Sequence, residues 1–77
     1  MRQSRRSQPG LGNAVRRLRE KRELTQEDLA EEAGITVRTL SQLETGNANP
    51  TWATVGDLAR ALRVSIAELA KRSEKGA

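Results

Sequence analysis

Residues Ala30 to Glu44 read AEEAGITVRTLSQLE, two helix-favouring runs parted by a single glycine. Gly34 can close the first run in the left-handed conformation, which costs other residues about 1–2 kcal/mol. Ile35 fills the corner, and Thr36 is placed to cap a new helix at once. Leu29, Ala30 and Ala33 before the break, and Leu40 and Leu43 after it, are spaced to share one core. The glycine therefore makes a corner between two helices. Helices joined by such a turn cross at roughly 90–120°, with the second held out from the body of the domain.

Upstream, Leu11, Val15 and Leu18 form one helical face that runs to about Arg22. Leu24 then anchors the chain before Thr25 and Asp28, which are spaced as a capping box. Downstream, ETGNANPT (residues 44–51) is a loop by every local signal. Thr51 caps a fourth helix with Trp52, Val55, Leu58, Ala59 and Leu62 on its inner face, which makes Trp52 core filler. Ser65 and Glu68 form a second capping box that opens a short fifth helix, with Ile66 and Leu69 inward. No β-alternating run and no internal repeat occurs. The expected fold is all-α, a compact bundle of five short helices over residues 11–72. Residues 1–10, MRQSRRSQPG, form a flexible basic arm, and residues 73–77 a frayed tail.

A chain of 77 residues allows one small domain of modest stability. It has no cysteine and no histidine, which removes disulfides, the commonest zinc ligands and the usual neutral-pH proton shuttle. No catalytic pair, phosphate loop, cofactor motif or small-molecule site stands out, so an enzyme is not expected. The basic N-terminus lacks the apolar run of a signal peptide and no segment could span a membrane, so the expected location is cytoplasmic. The net charge of +4 is unevenly spread. Residues 1–22 carry eight Arg or Lys against one Glu, whereas residues 23–37 carry five acids and no base. Such polarity suits a polyanion partner, although a solvated surface would carry it too.

The corner geometry lets the second helix enter a DNA major groove while the first lies across the backbone. The three motifs LTQEDLAEEAGIT, LSQLETG and NPTWATVGDLARAL, in this order and spacing, resemble the lambda-repressor-like (Cro-type, XRE) helix-turn-helix family. The resemblance covers about Leu11 to Leu69. It implies a sequence-specific DNA-binding regulator, in the first place a repressor, that binds a palindromic operator in double-stranded DNA as a homodimer.

The resemblance assigns base reading to Val37, Arg38 and Gln42. The chemistry agrees: Arg pairs with guanine, Gln with adenine, and an aliphatic group with a thymine methyl. The plainer alternatives are a core valine and a solvated arginine. Gln26, at a helix N-terminus that favours anions, matches the family's phosphate clamp. Thr36, Thr39, Ser41, Asn47 and Asn49 are auxiliary candidates, the two asparagines equally plausible as turn formers. Arg5 and Arg6 add salt-dependent contacts if the arm wraps DNA. The acids Glu27, Asp28, Glu31 and Glu32 belong mainly on the surface away from it.

By the same resemblance Arg19 and Glu44 form a largely buried ion pair of structural importance. Dimer contacts fall on Val64, Ile66 or Leu69, unless these complete the core. Similar sequences often have Gly where this one has Glu23 and Arg63. The remaining functional alternative is a protein-interaction adaptor, or antitoxin-like module, that uses the fold without tight DNA binding. Either way the chain is a stand-alone unit or one part of something longer.

Overall fold

A computed structural model describes residues 9–76. It contains helices α1 (Pro9–Lys21), α2 (Gln26–Ala33), α3 (Val37–Glu44), α4 (Trp52–Leu62) and α5 (Ile66–Gly76), with no strand among the described residues. Leucine spacing sets the core. Leu29, Leu40, Leu43, Leu58, Leu62 and Leu69, drawn from the last four helices, close over Val15 of α1, and all seven are almost completely buried. Small residues fill the closer contacts, with Ala14, Ala30, Ala33, Ala59 and Ala61 in the same cluster. Helix α1 lies along α5 and crosses α3, while α2 rests on α3 and α4.

Each start signal does what its chemistry allows. Thr25, Thr36 and Thr51 have extended backbones, and each hydroxyl accepts the N–H of the residue three positions on. At Thr25 the box is complete, because Asp28 Oδ2 accepts the Thr25 N–H at 3.0 Å. At Ser65 only half of the expected box forms. Glu68 N–H donates to Ser65 Oγ at 2.9 Å, but the Glu68 carboxylate takes Arg72 Nε at 2.8 Å instead.

Four expectations need correction. Helix α1 begins at Pro9, inside the expected arm, because a proline's fixed φ suits the first turn, where its missing N–H costs nothing. Helix α5 continues past residue 72 to Gly76. Trp52 is not in the core: it is 72% exposed. As the first residue of α4, it stands a turn before Val55, and no element among the described residues covers that end of the inner face. Ile66, at the start of α5, is likewise 36% exposed rather than inward. Arg5 and Arg6 lie outside the described residues.

Candidate nucleic-acid interface

The corner is built as the glycine requires. Gly34 sits at φ 74° and ψ 30°, in the left-handed region. Its N–H donates to Glu31 O at 3.2 Å, and the Ile35 N–H reaches back to Ala30 O at 3.0 Å, satisfying carbonyls that the helix end would strand. A side chain at position 34 would meet no neighbour, so the demand for glycine is one of backbone conformation and not of space. Ile35 packs partly buried against the core.

Helix α3 starts two residues later, capped by Thr36, whose Oγ1 accepts Thr39 N–H at 3.0 Å. The two threonine hydroxyls also bond to each other at 2.9 Å, so both side chains serve the helix start. Leu40 and Leu43 pin the inner face. The opposite face presents Val37, Arg38 and Gln42, all exposed, with Ser41 half-buried beside them. Arg38 and Gln42 are one turn apart and share a side of the helix. Arg38 makes no ion pair among the described residues. Val37 is 40% exposed, which removes the core alternative for it.

A buried polar knot holds this face in place. Arg19 donates from Nε to Glu44 Oε2 at 2.7 Å and from Nη2 to Glu44 Oε1 at 3.0 Å. Its third nitrogen reaches Leu24 O at 2.9 Å. The Glu44 side chain is 3% exposed, and the bidentate pairing supplies the compensation that such burial demands. The same pairing raises the Arg19 pKa above its ordinary value, against the opposing pull of desolvation. Gln26 joins the knot through Nε2 to Glu44 Oε1 at 3.1 Å. The residue assigned to a phosphate clamp is thus also a strut, tying the start of α2 to the end of α3.

The loop after α3 is fastened too. Thr45 Oγ1 donates to the Ser41 and Gln42 carbonyls, and Asn47 bonds to Gln42 O through its N–H and to Thr45 Oγ1 through its amide. Asn47 therefore acts as a turn former, while its side chain stays at the surface next to α3. Asn49 is exposed in the same loop.

The match to known proteins falls on this framework. A helix-turn-helix family model, HTH_3, matches residues 15–69. An uncharacterized HTH-type transcriptional regulator of Sinorhizobium fredii, y4dJ, is 44% identical over 59 residues, 77% of each chain. The chain belongs to the HTH_3 helix-turn-helix family of transcriptional regulators. Among solved structures, the clp gene regulator ClgR of Corynebacterium glutamicum superposes with a TM-score of 0.85 at 26% identity, over 88% of this chain and 72% of that one. The restriction-modification controller protein C.AhdI of Aeromonas hydrophila gives 0.77 at 31% identity, over 79% and 92%.

Membership makes the chain a DNA-binding regulator and not an enzyme. Among the described residues of this HTH_3 regulator, no group of side chains is placed to hold a metal ion, and no helix is long and apolar enough to cross a membrane. The acids of α2 are all exposed, and three of them, Asp28, Glu31 and Glu32, line one shallow depression with Leu24. Of the three residues put forward for dimer contacts, Leu69 is fully buried in its own core and offers no surface. Val64 is half-buried against that core, which leaves Ile66 accessible.

Two supports of the HTH_3 scaffold escaped the sequence reading. A Cβ on Gly12 would collide with the carbonyl oxygen of Leu43 and stand 3.1 Å from that of Glu44, so the glycine lets α1 touch the end of α3. The signal was present: a glycine inside a helix costs about 1 kcal/mol relative to alanine and asks for a packing reason. Arg22, just past α1, donates from Nη1 to Ala61 O at 2.9 Å, tethering the α1 exit to the last turn of α4.

Proposed function

We propose that this chain is a sequence-specific repressor that reads the major groove with the outer face of α3. Val37, Arg38 and Gln42 contact base edges, and Ser41, Thr39 and Thr36 approach base or backbone at the helix start. Gln26, with the first-turn N–H groups of α2, faces a phosphate, and Asn47 and Asn49 flank the neighbouring backbone. Arg5 and Arg6 add contacts that weaken as salt rises. The regulator works in the cytoplasm on a palindromic operator, as a two-fold dimer whose half-sites lie about 34–36 Å apart.

The observation that carries this reading is the state of Arg38. It is an exposed guanidinium without an ion-pair partner among the described residues, one turn from Gln42, on a helix whose other face is locked by Leu40, Leu43 and Glu44. Preorganised donors on a rigid element are what base discrimination needs, and a bidentate pair supplies roughly 1–3 kcal/mol of it.

Selection from a randomised duplex pool at near-physiological salt, with the native chain and with Arg38→Ala, tests the proposal. An enriched palindrome that loses a guanine preference in the variant supports it. No enrichment from either protein, with binding that disappears as salt rises, would favour an adaptor role instead.

A further inference from the structure

Gln26 belongs both to the proposed DNA contact and to the buried polar knot. It is half-buried at the first position of α2, and its Nε2 donates to Glu44 Oε1 at 3.1 Å. A primary amide carries two N–H donors and a carbonyl acceptor, so only its nitrogen end can face a carboxylate. The bond therefore sets which way round the amide lies. It engages one N–H and leaves the second for an outside acceptor. The carboxylate that does this is itself fixed. Its side chain is 3% exposed, and Arg19 grips it at 2.7 and 3.0 Å while holding the Leu24 carbonyl at 2.9 Å. Arg19 also offsets its charge, so the carboxylate orients a donor without driving a phosphate away.

We infer that Glu44 is a positioning residue for DNA binding: its Arg19-held carboxylate fixes the Gln26 amide with one N–H ready for a phosphate. The inference rests on the operator reading above, in which Gln26 meets the DNA backbone. A loose glutamine gives up its rotamer freedom when it meets DNA, whereas here that freedom is given up on folding. Prior ordering of one such side chain is worth about three- to tenfold in affinity. A phosphate carries no sequence, so the gain applies to any duplex the chain binds and leaves base preference untouched.

Arg19→Met with Glu44→Leu removes the carboxylate without stranding a charge, so the fold survives. It deletes one positive and one negative charge, leaving the net charge of +4 and its long-range pull on DNA unchanged. Dissociation constants are measured by fluorescence anisotropy on the duplex that the native chain enriches and on a scrambled duplex of the same length. Gln26→Met is made in the native chain and in the double variant. The expected loss from Gln26→Met is about three- to tenfold on both duplexes in the native chain, and less than about twofold in the double variant. Arg38→Ala costs the same in both backgrounds, because α3 stays seated. A second readout needs no DNA: the nitrogen-15 order parameter of the Gln26 side-chain amide lies above about 0.6 in the native chain and below it in the double variant. Arg19→Lys, which keeps both charges but loses the two-point grip, moves both readouts the same way by a smaller amount.

Equal losses from Gln26→Met in the two backgrounds would overturn the inference, since Glu44 would then serve the fold alone. A Gln26 amide already mobile in a native chain that binds DNA would overturn it and leave the operator reading standing. An Arg38→Ala cost that differs between backgrounds would mean that α3 as a whole had moved, and would overturn it too. A fixed Gln26 amide on a native chain that binds no duplex would defeat the operator reading, and the inference with it.

Discussion

Arg19 of α1 and Glu44 at the end of α3 lie 25 residues apart in sequence and meet in a bidentate ion pair, with bonds of 2.7 and 3.0 Å. Gln26 and the Leu24 carbonyl complete the group, so three helix ends converge on one buried carboxylate. This knot fixes α3 relative to the rest of the domain.

Removing either partner strands the other charge in a site with almost no solvent. Arg19→Ala or Glu44→Ala is expected to cost about 3–5 kcal/mol, a large part of the 5–15 kcal/mol typical of a whole domain. Replacing both partners by apolar side chains of similar volume, Arg19→Met with Glu44→Leu, should recover much of that loss, because no charge is then left unpaired. Urea unfolding of the two alanine variants and of the Met/Leu double variant measures both effects. Single losses below about 1 kcal/mol would show that the pair behaves as a surface salt bridge.

Gly12 and Gly56 are expected to respond to alanine in opposite directions. Both lie inside helices, where alanine is intrinsically better by about 0.5–1 kcal/mol. At Gly56 the nearest atom to an added Cβ is Ile66 Cδ1 at 3.6 Å, ordinary contact, so Gly56→Ala should raise the Tm by about 2–8 °C. At Gly12 the obstacle is backbone, which cannot rotate away, and Gly12→Ala should destabilise by about 1–3 kcal/mol or more. Thermal melts of both variants decide it, and equal shifts would mean that α1 and α3 are less closely packed than they stand here.

The contrast between these glycines shows where sequence reading reaches its limit. Gly34 was legible because its evidence is local: a cap follows within two residues and the apolar spacing continues across it. The threonine caps, the leucine core and the exposed positions of α3 were readable for the same reason. The role of Gly12 depends on carbonyls from α3, and nothing within one turn of it says that α3 passes there. Trp52 was misread because helical spacing tells which side of α4 faces inward, not whether the core extends to its first turn. The Gln26 bond to Glu44 is a tertiary contact of the same kind, invisible to spacing.

The α2 cap should give acid stability a specific component. The Thr25 N–H donates to the Asp28 carboxylate at 3.0 Å, and this cap, the backbone bond foremost, holds the Asp28 pKa below the ordinary aspartate value. A carboxylate depressed in the folded state contributes stability that is present above its unfolded pKa, about 3.9, and is lost as pH falls through the lower folded value. Asp28→Asn removes that charge at every pH. The stability difference between native and variant should therefore be constant near neutrality and narrow below about pH 3.9. Denaturant titrations from neutral pH to about pH 2 measure the difference directly, and a gap that stays unchanged throughout would show that the ionised cap contributes nothing.

Glu23 and Arg63 stand at φ 59° and φ 64°, left-handed positions occupied by residues with a Cβ. Each ends a helix in a formed turn: Leu24 N–H reaches Arg19 O at 3.0 Å, and Val64 N–H reaches Ala59 O at 2.9 Å. Strain of about 1–2 kcal/mol at such a site is relieved by glycine, less the entropy that glycine adds to the unfolded chain. Glu23→Gly and Arg63→Gly should each stabilise by a net amount of about 0.5–1 kcal/mol. Both side chains are exposed, so little packing is lost with them. Alanine at the same positions supplies the control, because it deletes the side chain while keeping the Cβ and its strain. If Tm rises with glycine but not with alanine, the backbone conformation is the cause; if both variants rise alike, the original side chains were unfavourable for another reason; if neither rises, these turns carry no strain for glycine to release.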